Sequence, residues 1–195
     1  MIELLFEGFE SALLPCSLIL LIPGAATAIA ARQESSPAVA GFIVSATGVS
    51  WLRFSNRLDD PSPRITALLF AGALVLLLVP LIRRLDIVSA AGGLLAGAGA
   101  AILWLPCVGD EFGTLLGELP DRGPSGVALL AIYSIGVLSP LVFLAAAMHL
   151  VPDALFLPVR PFMMMVGGAV LGLLAIATAV GLADDLVSLL VEQSQ

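Results

Sequence analysis

The sequence predicts an all-α polytopic membrane protein with six transmembrane helices arranged as two inverted three-helix repeats. Three observations carry this prediction: the composition, six apolar stretches, and a short motif that occurs once in each half. Of the 195 residues, 59% are hydrophobic and only 12% are charged, with a mean hydropathy of +1.10. Soluble domains average about half apolar and about a quarter charged residues. The chain is therefore expected to form a single transmembrane domain over residues 1–195.

Six stretches without Asp, Glu, Lys or Arg are long enough to cross a membrane, which takes roughly 17–25 helical residues. They cover residues 11–31, 35–52, 65–82, 87–109, 123–152 and 161–183. The first stretch is preceded by Glu3, Glu7 and Glu10 instead of the basic segment of a signal peptide. It is therefore interpreted as a true span.

The motif Leu-Pro-Cys divides the chain into two halves. Its cysteines, Cys16 and Cys107, are the only two in the sequence. Residues 1–84 form repeat one and residues 85–195 form repeat two, and each opens with the span that carries the motif. Because each repeat crosses the membrane an odd number of times, the second must enter from the opposite side, which gives an inverted repeat. The two cysteines would then face each other.

Prolines are predicted to break or kink several spans, because proline removes a backbone donor and clashes with the preceding helical turn. Pro15 and Pro23 interrupt the first span, and Pro140 lies near the middle of the fifth. In the fourth, residues 87–119 as one helix would be about 50 Å long, well over the roughly 30 Å core. Pro106 and Gly109 mark the expected break.

Asp110 follows that break and has two possible roles. It could cap the N-terminus of a second half-helix, or it could move a proton to or from Cys107, three residues earlier. Both interpretations stay open. With Pro23, Gly109 and Pro140 as hinges, the two repeats could expose the cysteines to each side of the membrane in turn.

The charge pattern excludes one class of partner and leaves the orientation undecided. The chain has a net charge of −7 and eight dispersed arginines, so no nucleic-acid partner is expected. A single histidine far from the cysteines does not make a zinc site, and no metal or other cofactor is predicted. With the N-terminus outside the cytoplasm, four arginines fall on each side, and the positive-inside rule gives a tie.

Three stretches together resemble the CcdA family, which includes the membrane core of the thiol reductant transporter DsbD. They are Leu14–Cys16, Ile102–Gly109 and Ala131–Pro140. The resemblance implies a transmembrane thiol-disulfide oxidoreductase in the plasma membrane, with both termini outside and Cys16 and Cys107 as its redox pair. It also implies two partners: cytoplasmic thioredoxin as donor and an extracytoplasmic thioredoxin-like acceptor, often serving cytochrome c maturation.

Thiol-disulfide exchange needs two cysteines that can pair with each other and also form a mixed disulfide with each partner. The thiols also need a hydrated pocket, because burial in hydrocarbon would raise their pKa values. The alternative function is a small membrane transporter of a soft metal such as Cu(I), or of another small ion, that uses the paired cysteines. A purely structural subunit would leave the doubled motif unexplained.

Overall fold

The computed structural model describes residues 6, 8–10, 12, 17–31, 35–54, 62–78, 86–103, 124–150 and 160–182. These residues form six main helices and contain no strand. The helices are α1 (Leu18–Ala31), α2 (Ser35–Phe54), α3 (Pro63–Leu78), α4 (Asp86–Leu103), α5 (Pro124–Leu150) and α6 (Arg160–Val180). Each coincides with one of the six apolar stretches, so the all-α prediction is confirmed.

Local sequence explains several helix ends. Proline suits a first helical position, where its missing N–H has no partner to lose, and α3 begins at Pro63. The N–H of Ile65 donates to the Ser62 carbonyl at 2.9 Å, which closes the first turn of α3. Asp86 opens α4, where the helix dipole favours a carboxylate. Arg53 lies in the last turn of α2, where the dipole favours a cation.

Four helices are long and apolar enough to cross a membrane: Ser35–Arg53, Asp86–Leu103, Ala131–Met148 and Pro161–Val180. The other two, α1 and α3, are apolar but have only 14 and 16 described residues, about 21 and 24 Å of helix. The chain is thus consistent with a helical membrane protein. By length and composition, four of the six predicted crossings contain a helix that could span a membrane.

The distribution of side chains fits the same conclusion. Large apolar side chains lie on the outside, among them Ile87, Leu68 and Met165, which are 82%, 72% and 72% exposed. The buried core is rich in alanine and also holds small polar side chains such as Thr27 and Ser89. Small residues and hydroxyl groups between helices, with apolar residues outside, are typical of bundles in lipid.

Helices α2 and α4 form the closest contact in the bundle. A Cβ placed on Gly93 would overlap the Ala38 carbonyl, and one on Gly97 would overlap the Phe42 carbonyl. The contact moves from Ala38 to Phe42 along α2 as it moves from Gly93 to Gly97 along α4. Because the residue numbers rise in the same direction on both helices, α2 and α4 run parallel. Only glycine permits the backbones to approach this closely.

Helix α3 runs antiparallel to α4. A Cβ on Gly99 would lie 3.1 Å from the Phe70 ring, and one on Gly92 would lie 2.8 Å from Leu77 Cγ. The chain therefore reverses direction between α2 and α3 and again between α3 and α4.

Contacts also join the two halves of the chain. Each helix of the first half packs on the helix three places later: α1 on α4, α2 on α5, and α3 on α6. Helix α1 also packs on α5 and α6, and α4 on α2 and α3. Among the described residues, the contacts of α1 with α2 and α3 have no counterpart of similar extent in the second half.

Helices α1 and α5 continue through Pro23 and Pro140, so neither helix is broken there, and a kink at either proline stays a prediction. Pro140 has no N–H for the carbonyl four residues earlier, that of Gly136. The Ser139 hydroxyl donates to this carbonyl at 2.7 Å instead. In α1 the Thr27 hydroxyl donates to the Pro23 carbonyl at 2.7 Å. The predicted breaks at Pro15, Pro106 and Gly109 lie outside the described residues.

Candidate functional site

Most residues of the predicted site lie outside the described part of the chain: Pro15, Cys16, Pro106, Cys107, Gly109 and Asp110. Pro23 is buried inside α1, and Pro140 is half-buried inside α5. The described residues nearest in sequence to the two cysteines are Ser17 at the start of α1 and Leu103 at the end of α4. The surroundings of these two helix ends therefore define the candidate site.

At the end of α4, the half-buried Arg53 of α2 donates from its guanidinium to the main-chain carbonyl of Ile102. In an α-helix this carbonyl would accept the N–H four residues later. The residue at that position is Pro106, which has no N–H. Arg53 thus satisfies an acceptor that the chain following α4 cannot satisfy by continuing the helix.

Ser50 adds a second polar group at this end of α2. It lies three residues before Arg53, and side chains at this spacing share a helix face. Ser50 is 2% exposed, and its hydroxyl has no hydrogen-bond partner among the described residues. A buried hydroxyl without a partner costs about 1–3 kcal/mol, so a polar group or water is expected beside it.

The N-terminal segment, which precedes Cys16 in the sequence, packs directly on α5 at Gly8. A Cβ on Gly8 would lie 2.5 Å from the Tyr133 carbonyl oxygen and 3.1 Å from Gly136 Cα. Ser134, in the same turn of α5, is 2% exposed and has no hydrogen-bond partner in the described part of the chain. Ser17, which follows Cys16 in the sequence, is 3% exposed. Buried hydroxyl groups thus lie at the start of α1, at Ser17, and in the last turns of α2, at Ser50.

Phe42 links α1 to α4. Its ring lies 3.2 Å from a Cβ placed on Gly24 of α1, and its backbone touches Gly97 of α4. Phe42 is fully buried. Cys16 lies eight residues before Gly24, and Cys107 lies ten residues after Gly97.

A groove between α2 and α5 is separate from these helix ends. Its cavity has a volume of about 370 Å³ and is lined by Ser36, Val39, Ala40, Ile43, Val142, Ala145 and Ala146. None of these side chains is titratable, so the described lining of the groove offers no acid-base or thiol chemistry.

Among the described residues, no group of three or more His, Cys, Asp or Glu side chains could hold a metal ion. Because both cysteines lie outside those residues, this leaves the soft-metal alternative untested. Asp110 is outside them as well, so its two possible roles also remain predictions.

No protein-family model, curated protein or solved structure matches this chain. The resemblance to the CcdA family therefore rests on the three sequence stretches alone. Sequence reasoning missed Arg53, which directly follows the second apolar stretch, residues 35–52. The position of Pro106 identifies the Ile102 carbonyl as an acceptor in need of a donor, but it does not say which side chain supplies one.

Proposed function

We propose that the chain is a transmembrane thiol-disulfide oxidoreductase of the CcdA type. In this proposal a Cys16–Cys107 dithiol carries reducing equivalents from cytoplasmic thioredoxin to an extracytoplasmic thioredoxin-like protein. The protein lies in the plasma membrane with both termini outside. The proposal is supported by the doubled Leu-Pro-Cys motif and by the packing of α1 and α4, the helices next to its two copies.

The single observation that carries the proposal is the shared contact of α1 and α4 with Phe42. If the six helices cross in alternation, α1 and α4 are antiparallel. Moving from Gly24 toward Cys16 and from Gly97 toward Cys107 then leads to the same end of the bundle. The start of α1 and the end of α4 would present the two cysteines to each other.

Helix pairing supports the inverted repeat. A two-fold axis that exchanged the repeats would swap α1 with α4, α2 with α5 and α3 with α6, and each of these pairs is in contact. The same axis would exchange the α2–α4 contact with the α1–α5 contact. It would also exchange the α3–α4 contact with the α1–α6 contact, and all four contacts occur. The extra contacts of α1 with α2 and α3 depart from the symmetry.

The chemistry is two-electron exchange. A thiolate of reduced thioredoxin attacks the Cys16–Cys107 disulfide, so that this bond breaks, a mixed disulfide forms and the released cysteine takes up a proton. The second thioredoxin thiol then attacks the mixed disulfide, leaving oxidised thioredoxin and the reduced cysteine pair. The same two steps in reverse reduce a disulfide of the acceptor, and no cofactor takes part.

Labelling with a maleimide polymer, read as a gel shift, tests the cysteine pair. In membranes kept under oxidising conditions, the wild-type chain should resist labelling and gain two labels after treatment with dithiothreitol. Cys16→Ser and Cys107→Ser should each gain one label with or without reductant. Two labels on the wild type under every condition would refute the pair. Protection of both thiols by Cu(I) without a disulfide would instead favour the metal transporter.

Trapping tests the donor. A thioredoxin variant that lacks its resolving cysteine should form a stable mixed disulfide with the oxidised wild-type chain, and should form none with a Cys16→Ser/Cys107→Ser control. Absence of the adduct from a chain whose disulfide has been demonstrated would exclude thioredoxin as the donor.

A further inference from the structure

We propose that Arg53 is a positioning residue that replaces the backbone donor missing at Pro106 and so fixes the end of α4 that leads to Cys107. The inference deepens the proposed function, because it assigns a role to a residue outside the Leu-Pro-Cys motif. It rests on the hydrogen bond from the Arg53 guanidinium to the Ile102 carbonyl.

The position of this bond follows from helix chemistry. The last four carbonyls of a helix lack intrahelical donors and need other partners. Ile102 belongs to the last turn of α4. Continuation of the helix would normally satisfy its carbonyl through the N–H of residue 106, but that residue is a proline. A side-chain donor from another helix can satisfy this carbonyl, and Arg53 of α2 supplies one.

Arginine is suited to this role. Its guanidinium carries five N–H donors and stays charged at any pH a protein tolerates. A positive charge at a helix C-terminus is also favoured by the helix dipole. Charged groups near the lipid core are expensive and are kept where they have a partner. The bond to Ile102 accounts for an arginine in the last turn of an apolar helix.

The contact also holds α4 at a fixed rotation. The glycine contacts at Gly93 and Gly97 set the close spacing of α2 and α4. Arg53 adds a directional hydrogen bond to the carbonyl of Ile102 at the end of this parallel pair. Ile102 lies five residues before Cys107 in the sequence. Loss of the bond is therefore expected to change how readily the Cys107 thiol reacts.

A double-mutant cycle with Pro106 tests the role on the full chain in detergent. Arg53→Gln should lower the Tm by about 2–4 °C. In a Pro106→Ala background, where residue 106 regains an N–H for Ile102, the same change should lower the Tm by less than half as much. Equal losses in the two backgrounds would overturn the proposal. Arg64→Gln, at an exposed arginine of α3, is the matched control and should leave the Tm unchanged.

Thiol reactivity supplies a second measurement that a purely structural arginine would not alter. In a Cys16→Ser background, and well below the Tm, Arg53→Gln should change the alkylation rate of Cys107 by about threefold or more, an energy near 0.6 kcal/mol. Arg53→Lys, which keeps a charged donor, should recover most of the original rate. A rate unaffected by Arg53→Gln would overturn the positioning role. Neither measurement uses thioredoxin, so failure here is distinct from failure of the proposed electron transfer.

Discussion

Ser139 and Pro140 form a local pair in which one residue compensates for the other. Pro140 leaves the Gly136 carbonyl without its helical donor, and the Ser139 hydroxyl donates to it. In lipid an unsatisfied backbone carbonyl is costly, because no water is available to replace the bond. The hydrogen bond from the Ser139 hydroxyl replaces the missing backbone bond and explains why α5 continues through Pro140.

Removal of that hydroxyl should expose the effect of the proline. Ser139→Ala is expected to lower the free energy of unfolding by about 1–3 kcal/mol, since it leaves the Gly136 carbonyl without a donor. Ser139→Ala/Pro140→Ala should recover most of the loss, because residue 140 then donates its own N–H. Chemical denaturation of the full chain measures both. A loss of the same size in the double variant would show that Ser139 does not act through Pro140.

At this scale the sequence can identify a carbonyl that lacks its helical donor, but it does not tell whether the helix ends there. The position of a proline identifies the carbonyl it leaves unsatisfied, which is Gly136 for Pro140 and Ile102 for Pro106. Whether a break follows depends on the available donors. A donor one residue away, Ser139, could have been noticed in the sequence. Arg53 could not, because it is 49 residues away from Ile102 and reaches it only through the packing of α2 on α4.

Glycines determine the contact between helices α2 and α4. Gly93 and Gly97 are spaced four residues apart on α4, and each faces a backbone carbonyl of α2. This is the spacing of small residues that lets membrane helices approach closely. Gly48, also on α2, has nothing within 4 Å of the position that a Cβ would occupy. The two kinds of glycine should therefore respond differently to substitution.

Gly97→Leu should force α2 and α4 apart and lower the Tm by more than Arg53→Gln does, because the carbonyl it meets is backbone and cannot rotate away. Gly48→Ala should leave the Tm unchanged or raise it slightly, since it adds a methyl group in open space. Thermal unfolding in detergent compares them. Equal Tm values for the two glycine variants would contradict the parallel glycine contact.

The N-terminal segment depends on a similar contact with α5. Gly8→Val would place branched carbon atoms against the Tyr133 carbonyl and Gly136, where a single Cβ already lies too close. If this contact helps to present Cys16, the variant should form the Cys16–Cys107 disulfide more slowly than wild type. Gly168→Ala, whose Cβ would make an ordinary 3.4 Å contact with Leu74, is the control. Gel-shift kinetics after reduction and reoxidation provide the measurement.

Apolar length predicted the helices well, and it did so for a physical reason. A chain that cannot hydrogen-bond to lipid must satisfy its backbone internally, so a long apolar stretch becomes helix almost regardless of its residues. Which helix faces contact each other was harder to predict from the sequence, because stretches rich in alanine and glycine have small residues on every face. The pairing of Gly97 with Phe42, for example, depends on the rotation of both helices.

For the molecule as a whole, the direction of the helices carries information that their lengths do not. Helix α2 is parallel to α4, and α3 is antiparallel to α4. If α2 and α4 both cross the membrane in the same direction, the chain must return across the membrane between them. An α3 that entered and left on the same side would not return it. The prediction that the 16 residues of α3 form a third crossing therefore depends on α2 and α4 both crossing.

Cysteine accessibility tests this third crossing. In a Cys16→Ser/Cys107→Ser background, Ser62→Cys and Asp86→Cys place single thiols at exposed positions on either side of α3. With both termini outside, a membrane-impermeant maleimide should label the first in intact cells and the second only after permeabilisation. The reverse pattern would keep the crossing but invert the proposed orientation. Labelling of both from one side would exclude the crossing, and with it the odd number of spans per repeat on which the opposed cysteines depend.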